Sequence, residues 1–139
     1  MTPELSGRFQ TRLFLFSTVG ALATLPFAIG FGANLYAGLY YVGALGFAWD
    51  CVYHQITLFR WDRDWPSSIA FLAGIWEGAS FYGLTTFADL PPFHGAVRAG
   101  AYWPMYVVTF LAMYLTVQGP IRVLVPHWRW NGGRVFEKW

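Results

Sequence analysis

Apolar residues dominate three long stretches of the chain, and charged residues are nearly absent from them. No Asp, Glu, Lys or Arg occurs at positions 13–49 or 99–121. Across positions 65–88 the only charged residue is Glu77. A helix needs about 20 apolar residues to cross the hydrocarbon of a bilayer, so this pattern is typical of membrane spans.

The first of these stretches is too long for one helix and too short for three. Near its middle lie Gly30, Gly32 and Asn34, which are residue types favoured in turns. This predicts a helical hairpin with a very tight turn, and therefore an all-α integral membrane protein with short loops. Its four transmembrane helices are expected at approximately residues 13–31, 35–58, 65–88 and 99–122.

Little of the chain remains outside these spans, so the whole chain is interpreted as a single transmembrane bundle. Residues 123–139 are expected to form a cytoplasmic interfacial tail, because aromatic and cationic residues alternate there around Trp128 and Trp130. Trp61 and Trp65 flank the loop between the second and third spans. All four Trp residues are expected at the membrane interface, where indole rings are enriched.

The few basic residues lie almost entirely at one end of this topology. Eight of the nine Lys and Arg residues come before the first span, between the second and third, or after the fourth, and only Arg98 lies on the other side. By the positive-inside rule both termini are expected in the cytoplasm, as in a multi-pass protein of the bacterial cytoplasmic membrane. Arg8 and Arg12 are interpreted as residues that precede the first span and set its orientation.

The composition agrees with a membrane protein and excludes two other classes. The 139-residue chain is 56% hydrophobic and 21% aromatic, and its 12% of charged residues is well below the roughly 25% usual in soluble domains. The net charge of +2 comes from residues that set orientation, so it does not indicate nucleic acid binding. The single cysteine, Cys51, leaves no intrachain disulfide and no cysteine-based zinc site.

Small residues mark the faces where helices are expected to approach one another. Ala70, Gly74 and Gly78 recur at four-residue spacing in the third span, and Gly43 and Gly46 lie in the second. Such stripes allow close helix packing within a bilayer. With short loops and many aromatic residues, the bundle offers contact surface rather than enclosed volume. The expected partners are therefore lipid and either other membrane subunits or further copies of the chain.

Three ionisable residues have no role in orientation. Asp50 and His54 share one face of the second span because they are four residues apart, and Glu77 lies near the middle of the third. A central charge costs about 2.5 to 3.5 kcal/mol on insertion scales, so another interaction must offset that cost. If the two spans pack as a hairpin, the three groups are expected to converge on one buried polar site.

Three interpretations of this site remain open. It is a metal or proton site if Asp50, His54 and Glu77 act as ligands, since carboxylates and imidazoles bind transition metals. It is a contact site if these groups meet a partner subunit, a substrate, a quinone or a pigment. It is structural if the three groups only fix helix register through hydrogen bonds. The partners considered for those bonds are Tyr53, Gln55, Tyr82 and Arg60.

One part of the chain, about residues 50–69, resembles a short stretch of the C subunit of particulate methane and ammonia monooxygenases. The likeness lies in the Asp-Cys-Val-Tyr-His-Gln run and in the Arg/Asp-rich loop that follows it. The resemblance implies that Asp50 and His54 help to bind copper within the membrane. In that family the loop leads to a further His ligand, whereas this chain has Ser67 and Ser68 near that position, and a hydroxyl binds copper poorly.

The leading functional hypothesis is a small accessory or structural subunit of a larger membrane complex, with the Asp/His/Glu site buried inside it. The alternative is a metal- or proton-dependent membrane redox enzyme, or a subunit of one, similar to the copper monooxygenases. Copper or another transition metal would then be its cofactor. A second alternative is a small proton-coupled transporter in which Glu77 carries the proton.

Overall fold

Four long helices form a bundle in this computed structural model, which describes residues 4–61, 65–88, 90–93, 97–129 and 132–135. Within these residues the protein is all-α, apart from one isolated bridge between Leu90 and Phe93. A short 3₁₀ turn, Pro126–Arg129, follows the last helix. The four helices are α1 (Leu5–Phe31), α2 (Asn34–Phe59), α3 (Ser67–Phe87) and α4 (Ala99–Leu124).

Helix α1 begins at Leu5, well before residue 13, where the first span was expected. The sequence from Leu5 onward contains no proline until Pro26, so nothing interrupts the backbone ladder near the predicted start. One π-helical turn, Phe16–Gly20, is inserted within the helix. Arg8 and Arg12, which precede the span predicted at residues 13–31, therefore lie inside the helix that contains this span.

The predicted tight turn between the first two helices centres on Gly32. This residue ends α1 with a φ of 109°, a backbone conformation that L side chains rarely adopt. Asn34 then begins α2 directly. The two helices consequently run back along each other as the hairpin that the sequence predicts.

The main hydrophobic core lies where α2, α3 and α4 meet. Its largest fully buried side chains are Tyr102, Phe81, Met105 and Val42. A second, smaller cluster joins Leu15 of α1 to Met113 and Ile121 of α4 and to Trp128 beyond it. The second cluster is formed near the chain termini, and it brings the tail after α4 onto α1.

The predicted all-α fold with four helices is confirmed. Helices α1 and α4 are long and apolar enough to cross a membrane, by length and composition. Helices α2 and α3 have 26 and 21 residues and do not meet the same criterion. They include Asp50 and Glu77 together with many Gly, Tyr and Trp residues, which lower their mean hydropathy.

Candidate functional site

Arg12 joins the two buried acids through four hydrogen bonds. Its Nε and Nη2 donate to the carboxylate of Asp50 at 2.7 and 3.0 Å. Its Nη1 and Nη2 donate to the carboxylate of Glu77 at 2.7 and 3.0 Å. A guanidinium carries five N–H groups in a planar fork, so four of the five are used here. Each carboxylate oxygen accepts one of these bonds, and a single side chain of α1 ties α2 to α3.

Both acids of this ion-pair cluster are buried, and the arginine is mostly so. Asp50 is 4% exposed and Glu77 is 6% exposed, while the Arg12 side chain retains 13%. Removing one member of a buried pair typically costs about 3 to 5 kcal/mol, because the remaining charge has no partner. The Arg12 cluster, which we define as Arg12, Asp50 and Glu77, is therefore a strong constraint on how the three helices sit together.

Two contacts position the guanidinium of Arg12. Gly46 lies one turn before Asp50 on α2, and a Cβ atom there would overlap Nη1 and Cζ of Arg12. On α1, the ring of Phe16 has its centroid 5.9 Å from Cζ of Arg12. The Phe16 ring also lies against Gly43 of α2, at the closest distance of 3.1 Å from where a Cβ atom would be. Gly43 and Gly46 thus allow α1 to approach α2 closely, as their positions predict.

Arg8 lies one turn before Arg12 and adds a second cation to the same face of α1. Its Nη2 donates to Oγ1 of Thr57 at 3.3 Å, and its Cζ lies 4.5 Å from the ring centroid of Trp65. Its Nε is buried and has no hydrogen-bond partner among the described residues. With Arg8 included, the formal charges of the two Arg and two acidic residues balance.

His54 does not join the two acids. Its Nδ1 is buried and makes no hydrogen bond within the described part of the chain. Among the residues that the structure describes, no three His, Cys, Asp or Glu side chains are grouped so that they could hold a metal ion. Of the three predicted ligands, the structure therefore brings together Asp50 and Glu77, with Arg12 bonded to both.

Tyr53, one of the polar partners expected in the structural interpretation, lies beside Glu77 and also bonds to the backbone of α3. The hydroxyl of Tyr53 donates to the carbonyl of Ala73 at 3.4 Å, which links α2 to α3. The ring of Tyr82 stacks on that of Tyr102. The cation that binds both acids belongs to α1, whereas the expected cation was Arg60 at the end of α2.

The small residues of α3 face a row of aromatic rings on α4. A Cβ atom at Gly74 would overlap the ring of Phe110, and one at Gly78 would overlap the ring of Tyr106. The Tyr106 hydroxyl donates to the Gly74 carbonyl at 2.6 Å, and the Tyr102 hydroxyl donates to the Gly78 carbonyl at 2.9 Å. The rings therefore occupy the space that the glycines leave and also bond to the backbone there. Ala70 lies one turn earlier on α3 and lines a cavity between α1, α3 and α4.

The four Trp residues predicted at the membrane interface differ in their environments. Trp61 is 97% exposed just after α2, and Trp65 is partly buried against Tyr53 and the Arg8 guanidinium. Trp128 is only 5% exposed and packs inside the protein. Its indole Nε1 donates to Oγ1 of Thr11 at 2.9 Å, which satisfies the ring nitrogen inside the protein. Trp130 lies outside the described residues.

The tail after α4 folds onto the start of α1. The Thr11 hydroxyl donates to the Gly133 carbonyl at 2.8 Å, and the Glu4 amide donates to the Gly132 carbonyl at 2.8 Å. A Cβ atom at Gly7 would overlap the carbonyl oxygen of Gly132, so the two backbones are in direct contact. These contacts thus attach the described part of the tail to the bundle.

The Arg12 cluster also forms part of the wall of a cavity of about 240 Å³. The cavity lies between α1, α3, α4 and the tail, and both carboxylates of the cluster line it. Its remaining wall is largely apolar. A polar cluster that is already hydrogen-bonded can therefore contact whatever enters this space.

Arg12 is the residue that sequence reasoning missed as part of the site. It was assigned to orientation because it directly precedes a charge-free stretch. The available signal was the pair of acids, since buried carboxylates are almost always paired with a cation. Arg12 is the basic residue that lies closest in sequence to the first predicted span. Only the packing of α1 against α2 and α3 shows that its side chain faces both acids.

The fold and the site define a class of protein, an all-α four-helix bundle with an internal Arg-carboxylate cluster. The chain matches no protein-family model, no curated protein and no solved structure.

Proposed function

We propose that this chain is a four-span integral membrane protein that serves as a small accessory subunit of a larger membrane complex. Both termini and the loop between α2 and α3 would lie on the cytoplasmic side. The asymmetry of basic residues supports this orientation. The lengths of the four helices, from 21 to 27 residues, suit a hydrocarbon layer about 30 Å thick.

The hydrogen bonding of the two buried acids is the observation that supports a structural role. All four oxygens of Asp50 and Glu77 accept hydrogen bonds from Arg12. A metal ion or a proton at these oxygens would have to compete with the guanidinium of Arg12, whose positive charge lies 2.7 to 3.0 Å away. The cluster is better suited to fixing the relative positions of α1, α2 and α3 than to turnover.

The outer surface of the bundle provides the contact area that an accessory subunit needs. Large apolar side chains point outward along all four helices, so lipid or a neighbouring subunit must cover them. The most exposed of those within the helices are Leu22, Ile29, Phe59, Phe87, Val123 and Leu124.

Labelling of single cysteines tests the topology. In a Cys51→Ser background, Trp61→Cys reports on the loop after α2, and Gly100→Cys reports on the start of α4. Intact spheroplasts are treated with a membrane-impermeant maleimide. We expect Gly100→Cys to react at once and Trp61→Cys to react only after permeabilisation. The reverse pattern would contradict the orientation, and immediate reaction of both would contradict the four spans.

Analysis of the assembly tests the accessory role. The full chain, tagged at one terminus and expressed at its native level, is extracted in mild detergent and separated by native electrophoresis. We expect it to migrate with a second membrane polypeptide at fixed stoichiometry, and a crosslink at an outward site such as Phe87 to trap that polypeptide. Recovery as a monomer, or only as copies of itself, would overturn the accessory role.

A second candidate is a metal-dependent membrane enzyme, and the unpartnered ring nitrogen of His54 favours it. The buried Nδ1 of this ring lacks a partner among the described residues, one turn from Asp50. A metal held there would need Asp50 to exchange Arg12 for the ion. Metal analysis of the purified chain separates this candidate from the accessory role. Proton transport through Glu77 would likewise require release from Arg12.

A further inference from the structure

We propose that the cavity between α1, α3 and α4 binds a single-chain anionic amphiphile, with a carboxylate or phosphate head group and one alkyl chain. This inference goes beyond the accessory role and does not depend on it. It is based on the shape of the cavity, on the gradient of its lining and on the cations in its wall.

One face of α4 supplies the gradient. Five residues spaced four apart line the cavity along this helix, and they change from aromatic to polar to cationic toward its end. Arg122 lies in the last turn and is exposed, while Tyr106 is buried and Phe110 is partly buried. Such a surface matches a ligand with a charged head and an apolar body. The five residues are Tyr106, Phe110, Tyr114, Gln118 and Arg122.

The charges in the wall favour an anion. Among the described lining residues there are three Arg and two acidic side chains, and Arg12 already binds both acids. Arg8 balances the charge that remains on that cluster and keeps an Nε with no partner in the described part of the chain. The excess positive charge of the wall is therefore that of Arg122, which forms no ion pair with a described residue. A carboxylate or phosphate oxygen could accept hydrogen bonds from such groups, and guanidinium is well suited to both head groups.

The apolar wall and the small volume of the cavity limit the size and polarity of the part of the ligand beyond its head group. Leu15, Phe16, Phe110 and Met113 contribute apolar side chains to the wall of the cavity. Its volume of about 240 Å³ is below the roughly 300 to 1,000 Å³ typical of sites for drug-sized ligands. A single alkyl chain therefore fits better than a complete two-chain phospholipid.

Native mass spectrometry of the full chain in a neutral maltoside detergent tests the proposal. The probes are decyl phosphate and decanoate, with decyltrimethylammonium as the cationic amphiphile and inorganic phosphate as the head group alone. We expect one decyl phosphate or decanoate per chain, and at least tenfold weaker binding of the other two probes. Equal binding of the cationic amphiphile, or of free phosphate, would overturn the amphiphile assignment.

Matched variants locate the binding. Arg122→Gln is expected to weaken decyl phosphate binding about tenfold, whereas Arg98→Gln, which removes an exposed cation at the other end of the bundle, should leave it unchanged. Ala70→Phe fills the cavity and should abolish binding, while Ala79→Phe places the same ring on the exposed face of α3. Undiminished binding to Arg122→Gln, which leaves the core untouched, would overturn the site even if Ala70→Phe failed to fold.

Discussion

The guanidinium of Arg12 occupies the space that a side chain at Gly46 would require. Nη1 of Arg12 lies within overlap distance of the Cβ position of this glycine, one helical turn before Asp50. The arginine that binds both acids therefore depends on the absence of a side chain in the facing helix. This relationship links a small-residue position in α2 to the polar centre of the bundle.

Substitution of Gly46 is expected to displace Arg12. In Gly46→Ala the new methyl group would force the guanidinium away from at least one carboxylate, and we expect a loss of about 2 kcal/mol or more in the free energy of unfolding. The measurement is reversible unfolding of the purified protein in detergent, followed by tryptophan fluorescence. Gly83→Ala on α3 is the control, because a Cβ atom there meets nothing within 4 Å. Equal stability of the two variants would contradict this contact.

Removal of the Arg12 cation is expected to destabilise the bundle strongly. Arg12→Gln leaves two buried carboxylates without a cation, and breaking such a pair typically costs about 3 to 5 kcal/mol. Arg12→Lys should recover only part of this loss, because an ammonium group cannot form the bidentate bonds to both acids. The same unfolding measurement applies.

The control for this experiment is Arg98→Gln, which removes an exposed cation and should change stability by less than about 0.5 kcal/mol. A combined variant, Arg12→Met with Asp50→Leu and Glu77→Met, removes all three charges together. It should be closer to the wild type than Arg12→Gln, since no buried charge is left unpaired. If Arg12→Gln matched Arg98→Gln, the cluster would not be a structural constraint.

The tail after α4 is expected to contribute to stability through Trp128. Trp128→Ala removes a buried ring and the bond to Thr11, and substitutions of this kind typically cost about 3 to 5 kcal/mol. Limited proteolysis should then cut the chain after α4, where the wild type resists. Trp76→Ala is a matched control, because Trp76 is 56% exposed on α3. Similar protease resistance of both variants would show that the tail is not docked.

Metal analysis separates the structural and the metal-dependent interpretations. Because Arg12 binds all the oxygens of Asp50 and Glu77, we expect far less than one copper, iron or zinc ion per chain after purification without chelators. His54→Ala should leave that content unchanged. A stoichiometric metal that is lost in His54→Ala would instead establish His54 as a ligand and require Arg12 to move.

The helical pattern and the site were predictable to different degrees. Charge-free stretches and the turn at Gly32 indicated the all-α fold, because helix length and turn chemistry are local properties of the chain. The start of α1 was not predicted, since hydropathy marks where apolar residues begin rather than where helical bonding begins. The burial of Trp128 was not predicted either, because an indole suits a membrane interface and a protein core equally well by sequence.

The sequence by itself determined that two acids in apolar helices need a compensating interaction. The free energy of a buried charge depends on residue type and depth, and both can be inferred from a single chain. Only the tertiary structure decided that Arg12 is the partner, that His54 stands apart and that Arg8 and Arg122 line a cavity. These outcomes depend on how α1 and α4 rotate and pack against their neighbours, and that rotation is set by contacts between residues far apart in the sequence.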